Sequence, residues 1–131
     1  MKVFDPVPPK IDSTAKLVAK CATRVHKEMG PGLLERVYTA CLVRELEHHG
    51  LNVLRRVPVP LVYDGETLEE TFYVDLLVEG HVIVEIRAVP AIAPIHEAQM
   101  MTHLKLTGKR MGLLINFNAV SMKKAIRRFV V

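Results

Sequence analysis

The chain has 131 residues, 50% of them hydrophobic and 24% charged, and a formal net charge of +4. That length builds one domain with a real core, and no apolar run approaches the roughly 18 residues of a membrane-spanning helix. Two cysteines make no disulfide framework, and the opening run from Met1 to Pro9 holds no signal-peptide core, so a cytoplasmic protein is expected.

A mean hydropathy of +0.20 is high for so small a chain and points to a buried subunit interface, with a homodimer the favoured oligomer. The sequence pI of about 9.2 favours phosphate-bearing partners, DNA or RNA. Lys105, Lys109, Arg110, Lys123, Lys124, Arg127 and Arg128 carry much of that excess. With no Trp, three Tyr and four Phe, aromatic stacking on bases adds little to it.

Residues 1–12 are proline-rich and read as an extended arm, with the main domain over 13–131. Ser13 is a plausible N-cap for a first helix, in which Leu17, Val18, Cys21, Val25 and Met29 recur at helical spacing. Gly30-Pro31-Gly32 stops it. A second helix runs over about 33–49, striped by Leu34, Val37, Tyr38, Cys41, Leu42 and Leu46. Glu35 borders that stripe, in the first turn where the helix dipole favours an acid.

Residues 52–63 form a strand candidate with Val53, Val57, Val59, Leu61 and Tyr63 largely on one face. Pro58 and Pro60 place it at an edge or bend it. Asp64-Gly65 signals a hairpin turn into a second strand, about 67–78, and a third covers about 82–89. A linker at 90–94 leads to a third helix, about 95–107, ended by Gly108. On it His96, Gln99 and His103 share a face; the two histidines, a full heptad apart, are expected to be exposed rather than a metal pair. Residues 111–117 read as a strand covered on both sides. The tail, 121–131, suits a last helix or a last strand. The order α-α-β-β-β-α-β makes an α+β domain with a mixed sheet of four or five strands and helices on its faces.

The stretch from Tyr73 to Arg87 carries the chemistry. Asp75 interrupts one apolar strand and Glu85 the next. Burying a lone carboxylate costs several kcal/mol or forces it to take up a proton. A shared divalent cation relieves both acids at once and takes oxygen ligands. The two acids share a face only if the hairpin pairs Asp75 with Glu85. A two-residue turn at Glu79-Gly80 gives the wrong register. A three-residue turn, Glu79-Gly80-His81, with Gly80 at positive φ, gives the right one, and that turn or a nearby bulge is expected. The acids should then converge beneath the N-terminal helices. The competing reading is a plain hairpin whose acids sit at an edge or in solvent.

Several separated runs resemble one family in order. Gly32-Leu-Leu-Glu35-Arg-Val-Tyr38 resembles the signature of the GxxExxY family, and so do 57–60, 75–78, 82–88, 96–99, 104–108 and 112–117. That family is grouped with the PD-(D/E)XK nucleases, so the resemblance implies a restriction-endonuclease-like core and metal-dependent phosphodiester hydrolysis. It implies Asp75 and Glu85 as ligands of Mg²⁺ or Mn²⁺, with the Ile86 carbonyl as a third. It implies Glu35 as an accessory acid and Gln99 as a supporting residue. The family has lysine where this chain has Arg87. Arginine keeps its proton and cannot act as a base. It can hold a phosphate oxygen, or pair with the acids and fill the space meant for metal. The alternatives to a nuclease are a non-catalytic fold that binds nucleic acid or a protein partner, and a homo-oligomeric structural protein.

Overall fold

The computed structural model describes residues 6–131. Its elements follow as α1 (Pro9–Met29), α2 (Glu35–His48), β1 (Val53–Tyr63), β2 (Glu66–Val78), β3 (Val82–Arg87), α3 (Pro94–Thr107), β4 (Met111–Asn116) and β5 (Ile126–Val130). One sheet holds all five strands in chain order, β1-β2-β3-β4-β5. Neighbours are antiparallel except β3 and β4, which are parallel and joined by the α3 crossover. This is the expected α+β architecture.

The helix starts differ from expectation at one end. α1 begins at Pro9, so residues 9–12 of the expected arm are helical, and residues 1–5 of that arm lie outside the described residues. Proline suits the first helical position because its φ is preset and it has no amide to leave unpaired. Ser13 is therefore no cap: it lies inside the helix and its hydroxyl donates to the Lys10 carbonyl at 3.0 Å.

Two apolar layers sandwich the sheet. Val18 and Ala22 of α1 and Tyr38, Leu42 and Leu46 of α2 pack on Leu76, Val78, Val82, Val84 and Ile86. On the other face Met100 and Leu104 of α3 pack on Val59, Val74, Ile83 and Leu114. Every residue of β4 is buried, as a strand covered on both sides should be. A Cβ at Gly112 would run into the sulfur of buried Met100, so that side chain would have to shift. The tail resolves as a strand. Ile126 packs toward the first layer and Phe129 toward the second, a split that three-residue spacing gives on a strand and not on a helix.

The β1–β2 hairpin sets up the site. Asp64 and Gly65, both at positive φ, turn it, and β1 is the sheet edge that its prolines require. The expected single apolar face of β1 fails midway. Val53 packs toward the α1–α2 layer, whereas Val57 and Val59 pack toward α3. On β2, Leu76 and Val74 divide in the same way. The strand partners run from Arg55↔Leu76 to Val57↔Val74, and Arg56 and Asp75 between them are unpaired. Arg56 has φ +47°. A kink at Arg56 and Asp75 thus turns the hairpin over between Val53 and Val57, and a second irregularity shifts the register between Pro60 and Val62.

Candidate active site at the end of the third strand

Gly32, Glu35 and Tyr38 divide into shape and chemistry. Gly32 takes φ +99°, and its amide donates to Asn118 Oδ1 at 3.1 Å. Tyr38 is buried and stacks on Phe117, with ring centroids 4.7 Å apart. Its hydroxyl donates to the Gly30 carbonyl at 2.5 Å and accepts from the Leu33 amide at 3.0 Å. Together these bonds pin the α1–α2 turn and deliver Glu35 as the first residue of α2. Burial pushes the Glu35 carboxyl above its ordinary value; nearby Arg87 opposes the shift, Asp75 reinforces it, and the Ala88 backbone opposes it through a hydrogen bond. That places Glu35 in the electrostatic reach of both Arg87 and Asp75.

The hairpin register is the one that the three-residue turn gives. Val78 pairs with Val82, and Leu76 with Val84. Glu79-Gly80-His81 is left as the turn, with Gly80 at φ +71°. One step further along this register Asp75 stands opposite Glu85. There the backbone ladder between β2 and β3 ends and a side chain takes over. Asp75 Oδ2 accepts the Ile86 amide at 2.9 Å. A carboxylate bonded to a strand amide in this way is fixed in direction, so the plain-hairpin reading with solvent-facing acids does not describe it.

Arg87 closes the group. Its guanidinium donates to Asp75 Oδ2 at 3.2 Å, to the Ile86 carbonyl at 2.8 Å and to Glu85 Oε2 at 3.0 Å. The Glu85 side chain is only 2% exposed, and its other oxygen, Oε1, meets His103 Nδ1. His103 in turn stacks on Phe72 at 4.8 Å. Glu85 therefore faces α3, not the N-terminal helices as expected, because it shares strand parity with Ile83 of the α3 layer.

The remaining expected residues are scattered. Gln99 lies one turn before His103 on α3, exposed, and no hydrogen bond among the described residues joins it to the carboxylates. His96 caps α3, accepting the Ala93 amide at 2.8 Å. His103 is the residue that sequence reasoning missed: it was expected to be exposed and is half-buried against Glu85. Lys109 and Arg110 precede β4 at the end of the sheet away from Arg87, and Arg110 Nε bonds the Val131 carbonyl. Lys105 lies between His103 and that far end. Lys123 and Lys124 are exposed in the loop before β5, at the Arg87 end.

The fold has a counterpart among known proteins. A family model described as the PD-(D/E)XK nuclease superfamily matches residues 12–129. The chain belongs to that superfamily. No curated protein and no solved structure matches it.

PD-(D/E)XK nucleases generally use divalent metals. The donor set fits such an ion in kind: Asp75, Glu85 and the Ile86 carbonyl are hard oxygen ligands that converge on one cationic group. The convergence is on the Arg87 guanidinium. Among the described residues no buried side-chain nitrogen or oxygen lacks a hydrogen-bond partner, and no three His, Cys, Asp or Glu side chains gather as a metal site. No helix among them is long and apolar enough to cross a membrane.

Proposed function

We propose that the protein is a metal-dependent phosphodiesterase acting on DNA or RNA, with Arg87 as a resident cation in the carboxylate centre. The observation that carries this reading is the convergence of Asp75, Glu85 and the Ile86 carbonyl on a single positive group at the end of β3. Asp75, Glu85 and Ile86 are the residues that would hold Mg²⁺ or Mn²⁺. Such an ion would polarise the phosphodiester and lower the pKa of an attacking water. His103 orients Glu85 by holding one carboxylate oxygen, so the other is directed at the centre. Arg87 must release that second oxygen before a metal can use it. A phosphate oxygen would offer the guanidinium, whose side chain is 19% exposed, a charge-assisted partner in exchange. Glu35, whose carboxyl burial raises above its ordinary value, is the accessory acid of this reading.

A second reading has its own support. All three oxygens already have a partner in Arg87, which favours a nuclease fold that binds nucleic acid or a protein without cleaving. The homodimer expected from composition has no single apolar patch to carry it, since Ile95, Met101 and Leu106, which α3 leaves exposed, are spread round the helix.

The test is turnover of labelled DNA and RNA with Mg²⁺ or Mn²⁺, beside calorimetric Mn²⁺ titration. Cleavage by the parent that disappears in Asp75→Ala and Glu85→Ala is the expected result. Cleavage unchanged in both variants removes the first reading. An inert parent that gains metal binding and cleavage as Arg87→Lys establishes the second.

A further inference from the structure

The carboxylate centre has an electrostatic deficit. Glu35, Asp75 and Glu85 face one guanidinium, so a phosphodiester approaching it meets net negative charge. Cations nearby must offset that repulsion. Most arginines around the sheet are already engaged. Arg87 is held by the centre itself, Arg127 pairs with Glu97, and Arg128 pairs with Asp12.

Beside the centre lies a cavity of about 260 Å³ lined by Thr39, Arg55, Arg56, Tyr73 and Asp75. Asp75 is shared: the same carboxylate that accepts the Ile86 amide forms one wall. Among the described residues neither Arg55 nor Arg56 joins an ion pair with a carboxylate. Arg56 lies over the Tyr73 ring at 4.3 Å, a cation–π contact that orients the guanidinium without neutralising it.

The backbone contributes a second observation. In a regular strand Arg55 and Arg56 would point to opposite faces. The φ of +47° at Arg56 breaks the alternation and brings both to one cavity. That conformation is unfavourable for a side chain of this kind, and glycine would hold it without strain. Strain of this sort gathers where a site is being shaped.

We propose that Arg55, Arg56 and Tyr73 form a phosphate cradle that receives the backbone of a nucleic-acid strand next to the carboxylate centre. The cavity is small for a free organic ligand but suits one phosphodiester unit of a chain that continues over the surface. Thr39, one helical turn after Glu35, lines the same wall, its hydroxyl donating to the Glu35 carbonyl at 3.0 Å. The ligand is the sugar–phosphate backbone, so binding is insensitive to sequence and sensitive to salt. This inference rests on the reading of the protein as a nucleic-acid enzyme, yet it is separable from cleavage.

The experiment is fluorescence anisotropy of labelled single-stranded DNA, duplex DNA and RNA, in chelator so that no metal-dependent hydrolysis occurs. The parent is expected to bind at least one of them at low salt. The Arg55→Ala/Arg56→Ala double variant should weaken binding by roughly tenfold or more and flatten the dependence on log salt by one to two phosphate contacts. Arg56→Gly keeps this readout interpretable. It relieves the backbone strain, so its melting temperature should hold or rise while its affinity falls; a merely structural role would not separate the two. Unchanged affinity in the folded double variant overturns the cradle, as does a parent that binds none of the three nucleic acids. Binding lost in Lys123→Ala/Lys124→Ala and retained in both arginine variants overturns it too. A parent that binds through these arginines and never cleaves upholds the cradle and removes the phosphodiesterase reading alone.

Discussion

Replacing Arg87 with methionine asks whether the carboxylates form a seat for a cation. The variant keeps an unbranched stem and removes the charge. It deletes the bonds to Glu85 at 3.0 Å, to Asp75 at 3.2 Å and to the Ile86 carbonyl at 2.8 Å. Removing one partner of a buried ion pair costs about 3–5 kcal/mol, while an exposed pair is worth about 1 kcal/mol or less. Glu85, 2% exposed, belongs to the first class, and Asp75, 35% exposed, lies closer to the second. His103 still holds one Glu85 oxygen and moderates the loss. A net cost of about 2–4 kcal/mol is expected, a fall in Tm of roughly 10 °C for a domain of this size. Thermal melts in chelator measure it. Mn²⁺ should then restore the variant, by about 2.7 kcal/mol at a hundredfold excess over its Kd, and should raise the parent less because Arg87 competes. A variant that melts with the parent refutes the buried pairing. A variant that is destabilised but gains no more from Mn²⁺ than the parent refutes the shared seat.

Two further outcomes follow from the fold. Tyr38→Phe leaves the Gly30 carbonyl and the Leu33 amide without their shared partner and should lower stability by about 1–3 kcal/mol, read from the urea midpoint at unchanged m-value. Asp12→Asn tests the link between α1 and β5. The Arg128 hydrogen bond, and after it the one from Lys16, holds the Asp12 carboxyl below its ordinary value of 3.8, so its stabilisation is whole above that pH and disappears as pH falls through the lower folded value. The variant should therefore melt slightly below the parent at neutral pH and together with it in strong acid, and added salt should shrink the neutral-pH gap.

Where the chain repeats a pattern, the fold could be read from it. Helical spacing located α1, α2 and α3, and Gly30, Gly50 and Gly108, each at positive φ, ended them. The hairpin register was readable because one glycine, Gly80, had to sit at positive φ for two acids to share a face. What could not be read was a conformation that no residue type announces. Arginine at φ +47° carries no local signal, so β1 looked like a single apolar face, and only tertiary packing divides Val53 from Val57. The start of α1 was hidden for the opposite reason. Prolines at 6, 8 and 9 look like an arm, yet the last of them opens the helix.

The site divides along the same line. Asp75 and Glu85 stood out because a carboxylate inside an apolar strand must be satisfied by something, and they point to a centre whatever fills it. His103 did not stand out, since its distance from His96 ruled out a metal pair and nothing local ties it to Glu85. The missing step was a count of lone pairs. A buried carboxylate offers two oxygens, Arg87 on the same strand can reach one, and the other needs a donor from the helix crossing that face. Charge counting failed similarly for the basic residues. It weighs Arg127 and Arg128 equally with Arg55 and Arg56, although the first two are neutralised by Glu97 and Asp12. The kink at Arg56 and Asp75 is therefore where sequence, fold and function meet. It turns the outer hairpin over onto α3, ends the β2–β3 ladder so that a carboxylate replaces a backbone acceptor, and brings two adjacent arginines to one cavity. Straightening it would repair the alternation of β1 and dismantle the site.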